Sequence, residues 1–323
     1  MMSNMSNAND CVILCPGQGA QAVGMGQVWC ESSPEAAAVM AEADSILAET
    51  LGRSLSELCF GGPAEDLNRT DVSQPAILAC SVACWKGLQA VEPDLAISAS
   101  AGLSLGEYTA LYLAGVMSFK DALETVAARG RLMQEAAEAS QGGMVAIMGA
   151  ADEEAATAFC SQVLQTQSAD EVLVPANFNA PGQIVLSGSA AACDAAVEMA
   201  AEAGLRAKAL TVAGAFHSPL MQPAADRMAE VLDGIEMNAP SVPVWCNVTA
   251  AAHDPQIETI KNHLVEQITH PVRWSQSLAN MLEVGSANFR ELAPGKVLKG
   301  LMKRIDRKVE VRNHDVPDPS YHA

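Results

Sequence analysis

Along the chain, short apolar runs alternate with longer stretches of helix-forming residues. This rhythm predicts an α/β architecture around a largely parallel sheet. Cys11 to Cys15 reads as the first strand and runs into Pro16-Gly17-Gln18-Gly19. Pro34 to Thr50 predicts a helix with Ser33 as its N-cap and proline at the first helical position, where a missing N–H is tolerated. Ser73 to Val91 predicts a second helix, Leu95 to Ala101 a strand, Glu107 to Ala114 a helix and Phe119 to Ala139 a long one.

After Ser140-Gln141-Gly142-Gly143 the character changes. Met144–Met148, Val172–Phe178, Gln183–Ser187 and Arg206–Val212 read as strands, with helices at Asp152–Gln165 and Ala190–Ala203. The order β-α-β-β-α-β is that of a ferredoxin-like unit. Residues 141–213 are therefore expected to form a small domain inserted into a larger, discontinuous one made of 11–140 and 214–312. The later part returns to the first style. It has helices at Pro219–Gly234, Pro255–Ile268, Ser275–Glu283 and Lys296–Arg307, and strands at Val242–Val248, Asn288–Leu292 and near Val309. Residues 1–10 and 313–323 read as polar tails.

Composition narrows the class. Of 323 residues, half are hydrophobic but only 4% aromatic, so Ala, Val, Leu, Ile and Met must fill the core. The formal charge of −19 argues against a nucleic-acid partner, which needs a basic face. Nine cysteines without a CxxC pair suggest free thiols in a reducing compartment, and no metal site is called. The first residues carry no signal-peptide or transit-peptide pattern. The apolar stretch Pro75–Val91 is interrupted by Lys86 and too short to span a membrane. The expectation is a soluble, cytoplasmic monomer.

The candidate chemistry begins at Gly102-Leu103-Ser104-Leu105-Gly106, a G-x-S-x-G sequence between a strand and a helix. That is the context of a nucleophile elbow, although an ordinary strand-to-helix turn has the same outline. A serine needs a base. Of the six histidines, His217 stands out, in a loop just before a helix where it can face a cleft; a buried histidine capping that helix is the alternative. Three aspartates between them, Asp152, Asp170 and Asp194, all fall in the inserted domain, none at a convincing strand end. Arg129 lies in an Ala-rich helix beside Ala127, Ala128 and Leu132, where it either snorkels to solvent or meets an anion. Gly17-Gln18-Gly19 lacks the third glycine of a dinucleotide fingerprint.

Seven motifs in one order then make a resemblance specific: Pro16-Gly17-Gln18-Gly19-x-Gln21, GLSLGEY at the elbow, and Arg129-Gly130-Arg131-Leu132-Met133-Gln134-Glu135. The others are Asn177-Phe178-Asn179-x-Pro181-Gly182-Gln183, Gly214-Ala215-Phe216-His217-Ser218-Pro219, Gln267-x-x-x-Pro271-Val272-Arg273-Trp274 and Pro294-Gly295-Lys296-Val297-Leu298. The chain resembles the malonyl-CoA:acyl carrier protein transacylases. The resemblance implies an α/β-hydrolase-like domain carrying a ferredoxin-like insert. It implies Ser104 as the acylated nucleophile, His217 as its base, and the backbone N–H groups of Gln18 and Leu105 as the oxyanion hole. The carbonyl of Gln267 would orient His217 in place of a carboxylate. Arg129 would clamp the malonyl carboxylate, and Phe216 and Asn179 would contact substrate. No metal or redox cofactor is implied. The substrates would be malonyl-CoA and an acyl carrier protein bearing phosphopantetheine, for fatty acid or polyketide extension. Many family members have histidine where this chain has Leu103.

A carrier protein that is acidic, as in the family, needs a local basic patch on so acidic a chain. Lys296, Lys299, Lys303, Arg304, Arg307, Lys308 and Arg312 supply one, or else form a solvated helix face. Two rivals stay open: a serine esterase or thioesterase, and a non-catalytic member of a synthase complex.

Overall fold

The structure, a computed structural model, describes residues 10–322. In chain order the strands are β1 (Asp10–Cys15), β2 (Ala96–Gly102), β3 (Gly142–Met148), β4 (Leu173–Ala180), β5 (Gln183–Ser189), β6 (Arg206–Ala209), β7 (Val244–Trp245), β8 (Phe289–Leu292) and β9 (Val311–His314). The helices are α1 (Gln27–Ser32), α2 (Pro34–Leu51), α3 (Leu55–Gly61), α4 (Ala64–Leu67), α5 (Thr70–Val91), α6 (Gly106–Leu113) and α7 (Phe119–Ser140). After them come α8 (Glu153–Leu164), α9 (Ala190–Met199), α10 (Gln222–Asp233), α11 (Ile257–Thr269), α12 (Trp274–Glu283) and α13 (Val297–Ile305).

The larger sheet has the order β7-β2-β1-β8-β9, and every pairing in it is parallel. Such a sheet must be covered on both faces, which is why β1 is apolar almost throughout. Cys11, Ile13 and Cys15 point into one core with α2, α5 and α7; Val12 and Leu14 point into the other, with Trp274, Leu278, Leu298 and Leu301 of α12 and α13. The smaller sheet is antiparallel, in the order β4-β5-β3-β6, and α8 and α9 pack on it through Phe159, Cys160, Val163, Ala192 and Ala196. This is the ferredoxin-like arrangement, so the α/β fold with two sheets is as the residue pattern predicts.

The two sheets are stitched where β4 meets the segment before α12. Phe178 N–H donates to the Val272 carbonyl at 2.9 Å and Val272 N–H to Ala176 at 2.8 Å. Beside them Arg273 forms a bidentate pair with Glu153.

Several expectations are corrected. Residues 313–322 are not a polar tail. Asn313 and His314 belong to β9, the His314 carbonyl accepts from Trp29 Nε1 at 2.8 Å, and the Tyr321 hydroxyl donates to Glu92 at 2.6 Å. Backbone pairing gives that polar-looking segment a place which side-chain composition does not announce. Residues 1–9 and 323 of the expected tails lie outside the described residues, and Asp10 opens β1. The strand expected over Val242–Val248 pairs only at Val244–Trp245, because Pro243 has no N–H and Cys246 N–H turns back to the Ala251 carbonyl. The helix expected from Pro219 is a 3-10 turn, Pro219–Met221, capped by Ser218 and followed by α10. All nine cysteines are free and all but Cys30 are buried.

Candidate active site

Strand β2 ends in the elbow. A Cβ on Gly102 would fall 1.8 Å from the carbonyl carbon of Gly106, and one on Gly106 would fall 2.2 Å from the Cys15 carbonyl oxygen. Strand, turn and helix therefore pack backbone against backbone, which only glycine permits. Ser104 sits at the turn with φ +53°, in the left-handed region that costs a side-chain-bearing residue about 1 kcal/mol or more. Asn247 supports it: Ser104 N–H donates to Asn247 Oδ1 at 2.6 Å, while Asn247 Nδ2 donates to the Gly102 carbonyl at 2.7 Å.

Ser104 Oγ lies 2.8 Å from His217 Nε2. His217 is also left-handed, with φ +58°, and its Nδ1 lies 2.7 Å from the Gln267 carbonyl. A carbonyl can only accept, so Nδ1 carries the proton and Nε2 offers its lone pair to the serine hydroxyl. Burial first, and then the nearby Arg129 charge, push His217 down from 6.5 to about 4. It is neutral at neutral pH, the state a base requires.

This gives a pH prediction. An NMR titration of the His217 imidazole should find it neutral down to about pH 4, and a midpoint at 6.5 contradicts the buried geometry. The unfolded chain takes up this proton near 6.5 and the folded chain only near 4. The stability is therefore whole above about pH 6.5 and is lost as the pH falls toward 4. His314, likewise pushed down to about 4 chiefly by burial, adds to the same acid-side loss.

No carboxylate touches His217 among the described residues. The buried carboxylate of the site is Glu107, in the first turn of the helix that follows the serine. It accepts from Gln267 Nε2 at 2.6 Å, from Asn247 N–H at 3.1 Å, and pairs with His253 Nε2 at 2.7 Å. Its part is to hold Gln267 and Asn247, which in turn hold His217 and Ser104. His253, although flanked by polar residues, is buried against Glu107.

Arg129 is 1% exposed, deep in α7. Gly130 lets α7 come close to the start of α5, since a Cβ there would lie 2.6 Å from the Thr70 carbonyl oxygen. Arg129 Nη1 donates to Gln74 Oε1 at 2.7 Å, and Nη2 to Gln267 Oε1 at 2.9 Å and to Ser104 Oγ at 3.2 Å. The guanidinium lies 5.4 Å from the Tyr108 ring centre. Its Nε has no partner and no carboxylate contacts it, among the described residues. A buried cation held by neutral groups is expensive unless an anion arrives.

Ser104 and His217 open onto a cavity of about 690 Å³ between the two sheets. Gln18, Leu103, Asn179 and Phe216 line it, as do Met133, Val185, Leu210, Val297 and Leu301. Phe216 is 5% exposed, and Asn179 Oδ1 is buried without a hydrogen-bond partner. The Leu103 side chain offers neither proton nor acceptor to the cavity. Leu103 N–H donates to the Cys15 carbonyl at 3.1 Å, which brings the Gly17-Gln18-Gly19 turn beside the elbow. Neither Gln18 N–H nor Leu105 N–H has a hydrogen-bond partner among the described residues.

The basic segment adjoins the same cavity. Glu291 caps α13, accepting from Leu298 N–H at 2.7 Å and Lys299 N–H at 3.0 Å. Helix α13 thereby turns Val297 and Leu301 to the cavity. Lys296, Lys303, Arg304, Arg307 and Lys308 are exposed and Lys299 is half-buried. None of these six forms an ion pair among the described residues; Arg312 pairs with Glu92 and Asp318.

Sequence reasoning missed Gln74, Glu107, Asn247 and His253. The one available signal was Glu107 inside GLSLGEY, directly after the elbow.

Comparisons place this geometry among known proteins. The profile of the acyl transferase domain family matches residues 12–316. A Bacillus subtilis malonyl CoA-acyl carrier protein transacylase is 43% identical over 300 residues, covering 92% of this chain and 90% of that protein. A crystal structure of the corresponding transacylase from Xanthomonas oryzae is 41% identical, with a TM-score of 0.88 over 97% of this chain and 96% of that one. A second structure is a complex of a type II polyketide acyl carrier protein with its malonyl-transacylase. It is 39% identical, with a TM-score of 0.88 and 97% coverage of both chains.

Proposed function

Because the chain belongs to the acyl transferase domain family, among relatives that are malonyl-CoA:acyl carrier protein transacylases, we propose that it moves a malonyl group from coenzyme A to the phosphopantetheine thiol of an acyl carrier protein, by way of a malonyl ester on Ser104. The observation that carries this reading is Arg129: a buried guanidinium with no contacting anion, 3.2 Å from the hydroxyl that would be acylated. An acyl group with a free carboxylate supplies the missing charge; a neutral acyl group leaves it unmet.

The steps follow from the geometry. His217 Nε2 takes the Ser104 proton as Oγ attacks the thioester carbonyl. The tetrahedral oxyanion rests on the N–H groups of Gln18 and Leu105, a stabilisation of roughly 3–4 kcal/mol per donor. Collapse expels the coenzyme A thiolate, which receives the proton from His217. The carrier thiol then enters the emptied position, gives its proton to His217 and attacks the ester; the bond to Ser104 Oγ breaks and Oγ takes that proton back from His217 Nε2. Gln267 fixes the imidazole through its carbonyl, so the base needs no carboxylate of its own. Phe216 and Asn179 border the acyl group, and no step calls on a metal or a redox cofactor. Cytoplasmic fatty acid synthesis by a monomer is the setting proposed; among the described residues no helix is long and apolar enough to cross a membrane.

The esterase alternative makes water the acceptor. Comparing free malonate release with transfer to a pantetheine thiol separates the two. The transferase reading expects thiol transfer to dominate and is abandoned if hydrolysis keeps pace with it.

The carrier would dock on α13, beside the cavity mouth. Reversing charge at Lys303 and Arg304 together should raise the carrier KM by about tenfold at low salt, with the effect shrinking as salt screens it, and leave malonyl-CoA acylation unchanged. A carrier KM insensitive to both changes removes α13 as the docking site.

A further inference from the structure

We propose that Cys246, His253 and His263 form a binding site for a thiophilic divalent ion of the zinc class, behind the catalytic network and apart from the acyl cavity. Their ligand atoms all lie within 4.8 Å of one another, and no other group of three or more such residues is so gathered among the described residues. The two imidazole Nδ1 atoms face each other at 3.4 Å. Two nitrogens bound at about 2.0–2.1 Å to one tetrahedral ion stand at about that separation. Only one of them can carry a proton, so at least one lone pair already points into the gap.

The surroundings are those of a ligand set. His253 Nε2 bonds Glu107 Oε1 at 2.7 Å, leaving Nδ1 for the ion; a carboxylate behind a metal-bound imidazole orients it and raises its basicity. Cys246 and His253 are buried and His263 is half-buried, which leaves a path from solvent. Two imidazoles and a thiolate suit zinc or cobalt, with a fourth position for water. On binding, the Cys246 S–H proton leaves to solvent and the His263 proton moves from Nδ1 to Nε2, so the charge balances without a redox step. The ion would brace the His253–Glu107 pair that reaches Gln267 and Asn247.

Cobalt is the direct probe. Tag-free, metal-stripped protein titrated with Co²⁺ should take up one ion per chain, with a thiolate-to-cobalt charge-transfer absorption that Zn²⁺ bleaches. Cys246→Ser should lose that absorption, and His263→Ala, at a half-exposed position, should bind about tenfold or more weakly. Saturating Zn²⁺ should raise the Tm of the wild type and not of either variant. Absence of stoichiometric uptake overturns the proposal, as does a charge-transfer band that survives in Cys246→Ser. Should Cys246→Ser fail to fold, His263→Ala decides: wild-type affinity in it is equally fatal.

Discussion

Ser104→Ala should lower malonyl transfer by about 10⁴-fold or more while leaving the fold intact. The size follows from losing the covalent step: residual rate then comes only from binding and the oxyanion donors. Nothing nearby can substitute. None of the nine cysteines lines the cavity, and the neighbouring Ser218 hydroxyl is engaged with the Ala215 carbonyl at 2.6 Å. The fold should tolerate the change because Asn247 holds the Ser104 backbone rather than its hydroxyl. Steady-state transfer to the carrier, with Tm measured alongside, checks this. A well-folded variant retaining activity within tenfold of wild type refutes the assignment of Ser104.

Arg129→Ala should lower kcat/KM for malonyl-CoA by about 10²-fold or more, the scale of losing a buried charged pair worth about 3 kcal/mol. Acetyl-CoA has no carboxylate, so its rate should hold or rise and selectivity should collapse. Part of the cost is structural, since Gln74 Oε1 and Gln267 Oε1 lose their donor. Arg129→Lys separates the two effects. It keeps the charge without the two-pronged geometry and should retain malonyl preference at a reduced rate. Measuring both acyl-CoA substrates on all three proteins tests this; an unchanged malonyl-to-acetyl ratio in Arg129→Ala rules out the clamp.

The fold and the front of the site were legible because their signals are local. Alternating runs identify a parallel sheet, and G-x-S-x-G between strand and helix identifies a turn that needs glycine on both sides. The support behind the site was not legible, because it is built across long separations. Glu107 meets His253 across 146 positions and Asn247 across 140, and each looks like an ordinary polar residue in its own segment. The carboxylates of the inserted domain between Ser104 and His217 play no part in the site. The buried one, Glu107, sits in the elbow's own helix and holds Gln267, Asn247 and His253 rather than His217. His253 is hidden for the same reason: only a partner from another element makes its burial tolerable. The last strand escaped because β9 earns its place through backbone pairing with β8, which composition does not record.

In the proposed reaction Ser104 carries the malonyl group between donor and acceptor. Intact-mass analysis after brief exposure to malonyl-CoA, without carrier protein, tests it most directly. One malonyl group should be added per chain, mapped by peptide analysis to Ser104, and discharged when carrier protein with a free pantetheine thiol is added. A malonyl group found on another residue, or full transfer to the carrier with no acyl-enzyme formed, would contradict it.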